Sequence, residues 1–429
     1  MKSDVAADRI GMAGWRIVLL ASLGGTLEFY DFVVFGIFAK DIGDAIFPAA
    51  SPLASLMASF AAFAVGYVAR PVGGVVLGHF GDRHGRRRVF LWSVFVMSAA
   101  TIGMGLVPSH ARWGVASSAL MVALRVLQGF CLGGELPGAL TYVVETAPRI
   151  APLVCGFVFA CVTMGVAAAT TVSVTVRSLL PSAVVPGLGW RIAFIVGGLG
   201  GVVSFVLRRS LEESPEFARV RALAARRPFG ELLRTHPMPV LVGIGLLAGT
   251  ACFNGLFFSH LPAYLTAVLR YDPREAVFAQ TVGVVASAGG ILLTGWIGDR
   301  LAPRHLLRTG VALLLVLSYP FYAALEARAM SLTAVLVLAG LSAGLTNGSF
   351  AVLLTDLFPT RIRFTGVALV FNVAFTLFSG LAPLAATTLV RTTGSAASPA
   401  LLMSACAAIA LVASAFVQRS GGHVLKPDA

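Results

Sequence analysis

Five ionisable residues stand inside long apolar runs: Glu28, Asp31, Arg70, Arg125 and Glu135. Holding a charge in lipid costs roughly 2.5 to 3.5 kcal/mol on insertion scales, so each of them must face a partner, water or a solute. Glu28 and Asp31 lie three residues apart, just after the pair Gly24-Gly25, and a helix puts both carboxylates on one face. Two acids on one buried face rarely both stay ionised. A proton can therefore be taken up and released there near neutral pH, as proton-coupled transport requires. Pairing of one or both acids with Arg70 or Arg125, purely to fix packing, is the structural alternative. Arg125 cannot lose its charge, so it must pair with a span acid or bind an anion, and its planar fork suits a carboxylate. Gln128 follows Arg125 by three residues and Glu135 by ten. Arg70 precedes Pro71, where a long side chain can snorkel towards the interface.

These groups need helices that cross a membrane. The chain has 429 residues, of which 57% are hydrophobic and 12% charged. Its mean hydropathy of +0.88 is too high for a water-soluble fold. In lipid only helices or closed barrels satisfy the backbone, and the period-2 alternation of a barrel is absent. Twelve apolar spans are expected, over 15–38, 54–78, 89–108, 114–144, 151–177, 190–208, 238–265, 275–297, 305–325, 331–355, 364–388 and 398–418. With the N-terminus inside, 22 of the 32 Lys and Arg fall on the cytoplasmic side, so the net charge of +13 sets topology and favours anionic lipid over nucleic acid. The five cysteines lie in apolar spans without metal-ligand spacing and read as packing residues.

The tract Gly78-His79-Phe80-Gly81-Asp82-Arg83-His84-Gly85-Arg86-Arg87-Arg88 recurs in worn form as Gly295-Trp296-Ile297-Gly298-Asp299-Arg300, an offset of 295 − 78 = 217. Glu145-Thr146-Ala147-Pro148-Arg149 is echoed by Asp356-Leu357-Phe358-Pro359-Thr360-Arg361 at 356 − 145 = 211. Two related halves follow: a six-helix bundle over 1–207, a charged cytoplasmic linker over 208–237 with a short surface helix near Ser214-Pro215, and a second bundle over 238–429. Duplicated halves build transporters whose solute site lies between them. Gly81, Asp82, Arg83 and Gly85 read as a tight turn, with Asp82 placed either to cap a helix start, such as those near Arg149 and Arg363, or to pair with a facing cation; a solvated basic turn that only fixes topology is the alternative. Breaking such contacts would open the inner face, which makes Gly78, Asp82, Arg83, Arg86, Arg87, Glu145, Asp299, Arg300 and Asp356 the candidate gate. Glycines 73, 74, 129, 133, 134 and 138 permit close helix contact. In the second half Asn254, His260, Gln280, Asn347 and Asn372 are polar groups within spans, with His260 near an outer, interfacial end.

Taken together the motifs resemble the major facilitator superfamily, and within it the metabolite:proton symporter family of citrate, 2-oxoglutarate, shikimate and proline/betaine carriers. The resemblance rests on Leu27 to Phe32 (LEFYDF), Arg70-Pro71 with Gly73, and Arg125 to Glu135 (RVLQGFCLGGE). Trp190-Arg191, Leu211 to Phe217, and Phe358-Pro359-Thr360-Arg361 with Arg363 and Gly366 add to it. It implies an all-α integral membrane protein of twelve helices in two pseudo-symmetric bundles, working by alternating access. It also implies that Glu28, Asp31, Arg125 and Glu135 line the central path. The second motif copy departs from the pattern by running on as Leu301-Ala302-Pro303-Arg304, and no heptads follow Arg419.

The expected function is proton symport of a small organic acid, di- or tricarboxylate-like, in the cytoplasmic (inner) membrane of a bacterium with both termini inside. Glu28, Asp31 and Glu135 would couple protons, and Tyr30, Arg125, Gln128, Asn254, Asn347 and Asn372 would contact the solute. A monomer without cofactor is expected, with no nucleic-acid partner. The alternatives are a proline/betaine-type carrier whose acids hold a cation, a proton-driven efflux antiporter, and a non-transporting nutrient sensor. An enzyme would need a nucleophile and base or a metal cluster near one membrane face, and no such set is visible.

Overall fold

The computed structural model describes residues 12–50, 52–181, 183–209, 228–417 and 421–424. Eleven of its helical segments are long and apolar enough to cross a bilayer, and a twelfth apolar helix is shorter. In chain order they are α1 (Met12–Ile37), α2 (Pro52–His84), α3 (Arg86–Leu106), α4 (Val115–Thr146), α5 (Ala151–Leu179) and α6 (Trp190–Arg208). The second half runs α7 (Pro237–His260), α8 (Pro273–Gly298), α9 (Pro303–Ala327), α10 (Leu332–Asp356), α11 (Arg363–Thr393) and α12 (Pro399–Ser414).

The count matches the apolar runs, but the ends do not. Helix α2 continues through Gly81-Asp82-Arg83 to His84, so the expected tight turn shrinks to Gly85, whose φ of 105° is costly for any residue with a Cβ. Three second-half spans are not plain α-helix. Helices α7 and α11 loosen into π segments over Gly255–His260 and Phe375–Gly380, and α10 breaks between Asn347 and Phe350. Such segments cluster at functional sites because they re-aim side chains without leaving the backbone unpaired.

Small residues let the helices meet. A Cβ at Gly129 of α4 would stand 2.1 Å from the Gly66 carbonyl oxygen of α2, and one at Gly340 of α10 would stand 2.4 Å from that of Gly283 in α8. The same close pairing thus occurs once in each half. Between the halves, α2 packs on α11, where Gly78 approaches Thr365, and α5 packs on α8, where Gly156 faces Gly295. The loop joining α2 to α3 and the loop joining α8 to α9 lie beside these two interfaces, and their side of the molecule is called the motif face below.

The linker starts later than its charge pattern indicates. Arg208 is the last residue of α6 and fully buried, because Glu135 awaits it inside the bundle. The described part of the linker is the helix Pro228–Thr235. The surface helix expected near Ser214-Pro215 lies outside the described residues.

Candidate functional site

Asp31, Thr101, Gln128 and Arg125 form one buried chain of hydrogen bonds across α1, α3 and α4. The Asp31 Oδ2 accepts from Thr101 Oγ1 at 2.7 Å and from Gln128 Nε2 at 3.1 Å. Gln128 Nε2 also reaches Thr101 Oγ1 at 2.9 Å, and its Oε1 accepts from Arg125 Nη1. A three-residue step on α4 brings Arg125 and Gln128 to one face, which is why they meet. Rings of Phe35, Phe32 and Phe63 surround the Arg125 guanidinium, with centroids 4.4, 4.8 and 5.0 Å from its Cζ. One edge of the guanidinium, opposite the Gln128 bond, carries Nε and Nη2. On that edge Nε and Nη2 are buried and have no hydrogen-bond partner, and Asp31 Oδ1 has none either. Parallel N–H bonds from Nε and Nη2 make the fork that grips a carboxylate with two bonds. Orphaned donors in the membrane interior are costly unless something else comes to them. Glu28 sits on α1 three residues before Asp31, and its side chain lies outside the described residues.

Arg70 does not snorkel. It is buried, donates from Nε to Asn372 Oδ1 at 3.2 Å, and stands over the Phe32 ring on one side and the Phe371 ring of the other half on another. Asn372 in turn donates from Nδ2 to the Gly133 and Ala368 carbonyl oxygens, both at 2.7 Å. It therefore clasps α11 to α2 and α4, with its amide committed to those bonds. Asn254 and Asn347 join each other at 3.1 Å where α7 and α10 lose regular helix, leaving Asn254 Oδ1 buried without a partner.

Three expectations are relocated. Glu135 stands outside the Arg125 chain: its Oε1 pairs with Arg208 Nη1 and its Oε2 accepts from Ser93 Oγ at 2.9 Å. Arg208 also donates to the Leu20 and Ala21 carbonyl oxygens, so the pair ties α1, α3, α4 and α6 together. Tyr30 turns away, because its hydroxyl donates to the Ala193 carbonyl of α6 at 2.9 Å. His260, at the end of α7, is buried against Tyr264 and does not face the lipid surface.

On the motif face the two halves lock. Asp82, fully buried, accepts from the Thr365 backbone N–H at 2.8 Å, from Thr365 Oγ1 at 2.8 Å and from the Phe364 N–H at 3.3 Å. Its carboxylate thus caps the positive end of α11 from the opposite half. The worn copy does the same once: Asp299 Oδ1 accepts from the Leu153 N–H of α5 at 3.2 Å. The offsets are 299 − 82 = 217 and 365 − 153 = 212, so the repeat seen in sequence is repeated in contact. Glu145 of α4 pairs with Arg363 of α11 at 2.8 Å, both buried. Asp356 is held within its own half, accepting from the Gly422 and Val424 N–H groups at 2.9 and 2.6 Å. Arg87 donates to the Arg209 carbonyl, Arg300 covers the Trp296 ring, and Arg83 is exposed. The Arg86 side chain lies outside the described residues. Replacing Asp82 by Ala removes a cap of about 0.5 to 2 kcal/mol, an expected 2- to 30-fold gain in the open population, to order of magnitude. Spin labels at the exposed positions 88 and 305, one per half, would report it as a growing long-distance peak. An unchanged distance distribution would show that the latch is energetically idle.

The model for the Major Facilitator Superfamily matches residues 20–383. The chain belongs to that superfamily. It is 31% identical over 430 residues to the citrate-proton symporter of Klebsiella pneumoniae, covering 99% of this chain and 96% of that relative. The proline/betaine transporter of Escherichia coli (strain K12) is 28% identical, covering 96% and 85%. Among solved structures, the proton:xylose symporter XylE bound to 6-bromo-6-deoxy-D-glucose superposes with a TM-score of 0.78 at 16% identity, covering 95% of each chain. The fold is that of a multi-pass membrane transporter.

Within that fold, sequence reasoning missed Thr101, Arg208 and the pairing of Arg363. A hydroxyl in an apolar span carries no signal, because most such groups bond back to their own helix. Arg208 looked like the first charge of the linker. Arg363 stood among the family markers, but nothing in the chain's local pattern gave Glu145 as its partner.

Proposed function

We propose that this superfamily member is a proton-coupled symporter of a small organic acid, di- or tricarboxylate-like. It would work as a monomer by alternating access in the cytoplasmic membrane of a bacterium, with both termini and the motif face inside, and would catalyse no covalent chemistry. The observation that carries the reading is the unpartnered Nε/Nη2 edge of Arg125, linked through Gln128 to Asp31. A solute carboxylate would satisfy that edge. Pulling Arg125 towards the solute would loosen its bond to Gln128, and Gln128 would then hold the Asp31 carboxylate less firmly as an anion. Proton uptake at Asp31 or at Glu28 would offset the solute's charge before the loaded carrier reorients. Asp82–Thr365 and Glu145–Arg363 would be the inner gate, with Asp299–Leu153 as its weaker counterpart.

The citrate-proton symporter relatives agree with this chemistry, and the proline/betaine relatives supply the second reading. A zwitterion would place its cation at Asp31, whose Oδ1 is unpartnered. Against this, Arg70 and Arg125 share the Phe32 ring and make the neighbourhood favour anions.

Uptake of a labelled panel (citrate, 2-oxoglutarate, succinate, shikimate, an aromatic acid, proline and glycine betaine) into proteoliposomes, with and without an inward proton gradient, tests the reading. Gradient-driven acid uptake supports it, and betaine or proline uptake alone replaces it by the second. Asp31→Asn is expected to remove acceleration by the gradient while solute exchange persists. Acceleration equal to that of the unsubstituted protein would remove Asp31 from the coupling role.

A further inference from the structure

A cavity of about 360 Å³ lies inside the second half, between α7, α9, α10 and α12, away from the Arg125 chain. Its back wall is Phe253 and Phe257, stacked at 4.9 Å where α7 winds into its π segment. Almost no polar group faces it. Of the hydroxyls on its walls, Ser318 and Ser342 are turned back to the Leu314 and Ala339 carbonyl oxygens of their own helices. Beyond these only the Tyr322 hydroxyl is on the walls, too few partners to hold water, and apolar cavities stay dry.

The mouth fixes what enters. Its rim residues Leu317, Leu338 and Met330 are 43, 57 and 50% exposed, and they continue the apolar outer surface of α9 and α10 that the bilayer covers. On α9 the lining runs from Leu314 to Ala324, about 15 Å of helix at 1.5 Å per residue, and Ala324 is three residues from the helix end. A bilayer core is about 30 Å thick, so the slot reaches from the membrane edge opposite the motif face to about the midplane. That is the depth of one leaflet.

We propose that this slot holds one acyl chain of a phospholipid from the leaflet opposite the motif face, lying parallel to α9 and touching α7 beside Asn254. The helix ends and loops on that side of the second half carry Arg270, Arg274, Arg328 and Arg391 together with Asp272, Glu275 and Glu326, close to balance. So nearly balanced a charge gives little grip on a particular head group, and recognition is by the tail.

The test reconstitutes the whole protein with phosphatidylglycerol or phosphatidylethanolamine carrying a photoactivatable diazirine near the chain end, and maps the adducts by peptide mass spectrometry. Phe257 is the diagnostic position, because it is only 2% exposed and is reached from the membrane through the slot. Adducts are expected on Phe257 with both head groups. Ala339→Trp, which fills the slot, is expected to lower them about tenfold, the effect of displacing roughly two methylenes. Leu341→Trp, on the same helix but outside the lining, is expected to leave them unchanged. Labelling of Leu338 at the rim without Phe257, labelling with one head group only, or an unaffected yield in Ala339→Trp would each overturn the proposal. The mapping on the unsubstituted protein decides the matter even if the tryptophan variant fails to fold.

Discussion

Arg125→Lys is expected to lower the apparent affinity for the transported acid by at least about tenfold, and Arg125→Gln by about a hundredfold or more. A hydrogen bond to a charged group is worth about 1.5 to 3 kcal/mol, and the fork offers two, one of which an ammonium could replace. Lysine also loses the planar group that Phe32, Phe35 and Phe63 enclose, so it would keep its charge without its aim. The measurement is the KM of gradient-driven uptake together with direct solute binding to the purified protein. Both should move together, since the fork acts on the bound solute before any reorientation. Binding within threefold of the unsubstituted protein in Arg125→Lys would mean that the orphaned edge is structural and that the solute sits elsewhere.

The largest effect on stability is expected at Glu135 and Arg208. Both side chains are fully buried, and removing one partner leaves the other charge stranded at a cost of about 3 to 5 kcal/mol. Glu135→Ala should therefore lower the thermal midpoint sharply or prevent accumulation in the membrane. The double variant Glu135→Leu/Arg208→Met should recover most of the loss, because a well-packed apolar pair is often as stable as a buried ion pair. Thermal unfolding followed by size-exclusion of the detergent-purified variants distinguishes this from a coupling role. A Glu135→Gln protein of normal stability that transports without a proton gradient would return Glu135 to the coupling machinery.

Much of the arrangement was legible in the chain. The double motif gave two halves, and capping of a helix start was one of the two roles open to Asp82; that Asp299 caps the helix after Arg149 came from the fold. The i, i+3 spacing put Arg125 and Gln128 on one face, but it read Gln128 as a donor to the solute, whereas the fold engages it with Arg125, Asp31 and Thr101. Spacing could not reveal which acid Arg125 would meet. Asp31, Glu28 and Glu135 were equivalent candidates along the chain, and the fold sent Glu135 to Arg208 and left Asp31 one glutamine away from Arg125. Tyr30 and Arg70 illustrate the same limit. Each is one residue on a helix whose rotation is set by its neighbours, so Tyr30 faces α6 and Arg70 faces Asn372.

The sequence by itself determined the membrane setting, the twelve apolar segments, the duplication and the short set of charges that lipid will not tolerate alone. Those follow from composition and period, which are local properties: hydrophobic length against bilayer thickness, and the cost of a buried charge. Only the tertiary structure decided which charges neutralise each other and which edge of Arg125 remains without a partner. It also decided that α7, α10 and α11 loosen where the polar groups meet. Partner choice among buried charges depends on contacts between residues as far apart as Glu145 and Arg363. Such contacts are fixed by helix packing at small residues, and no local pattern encodes them.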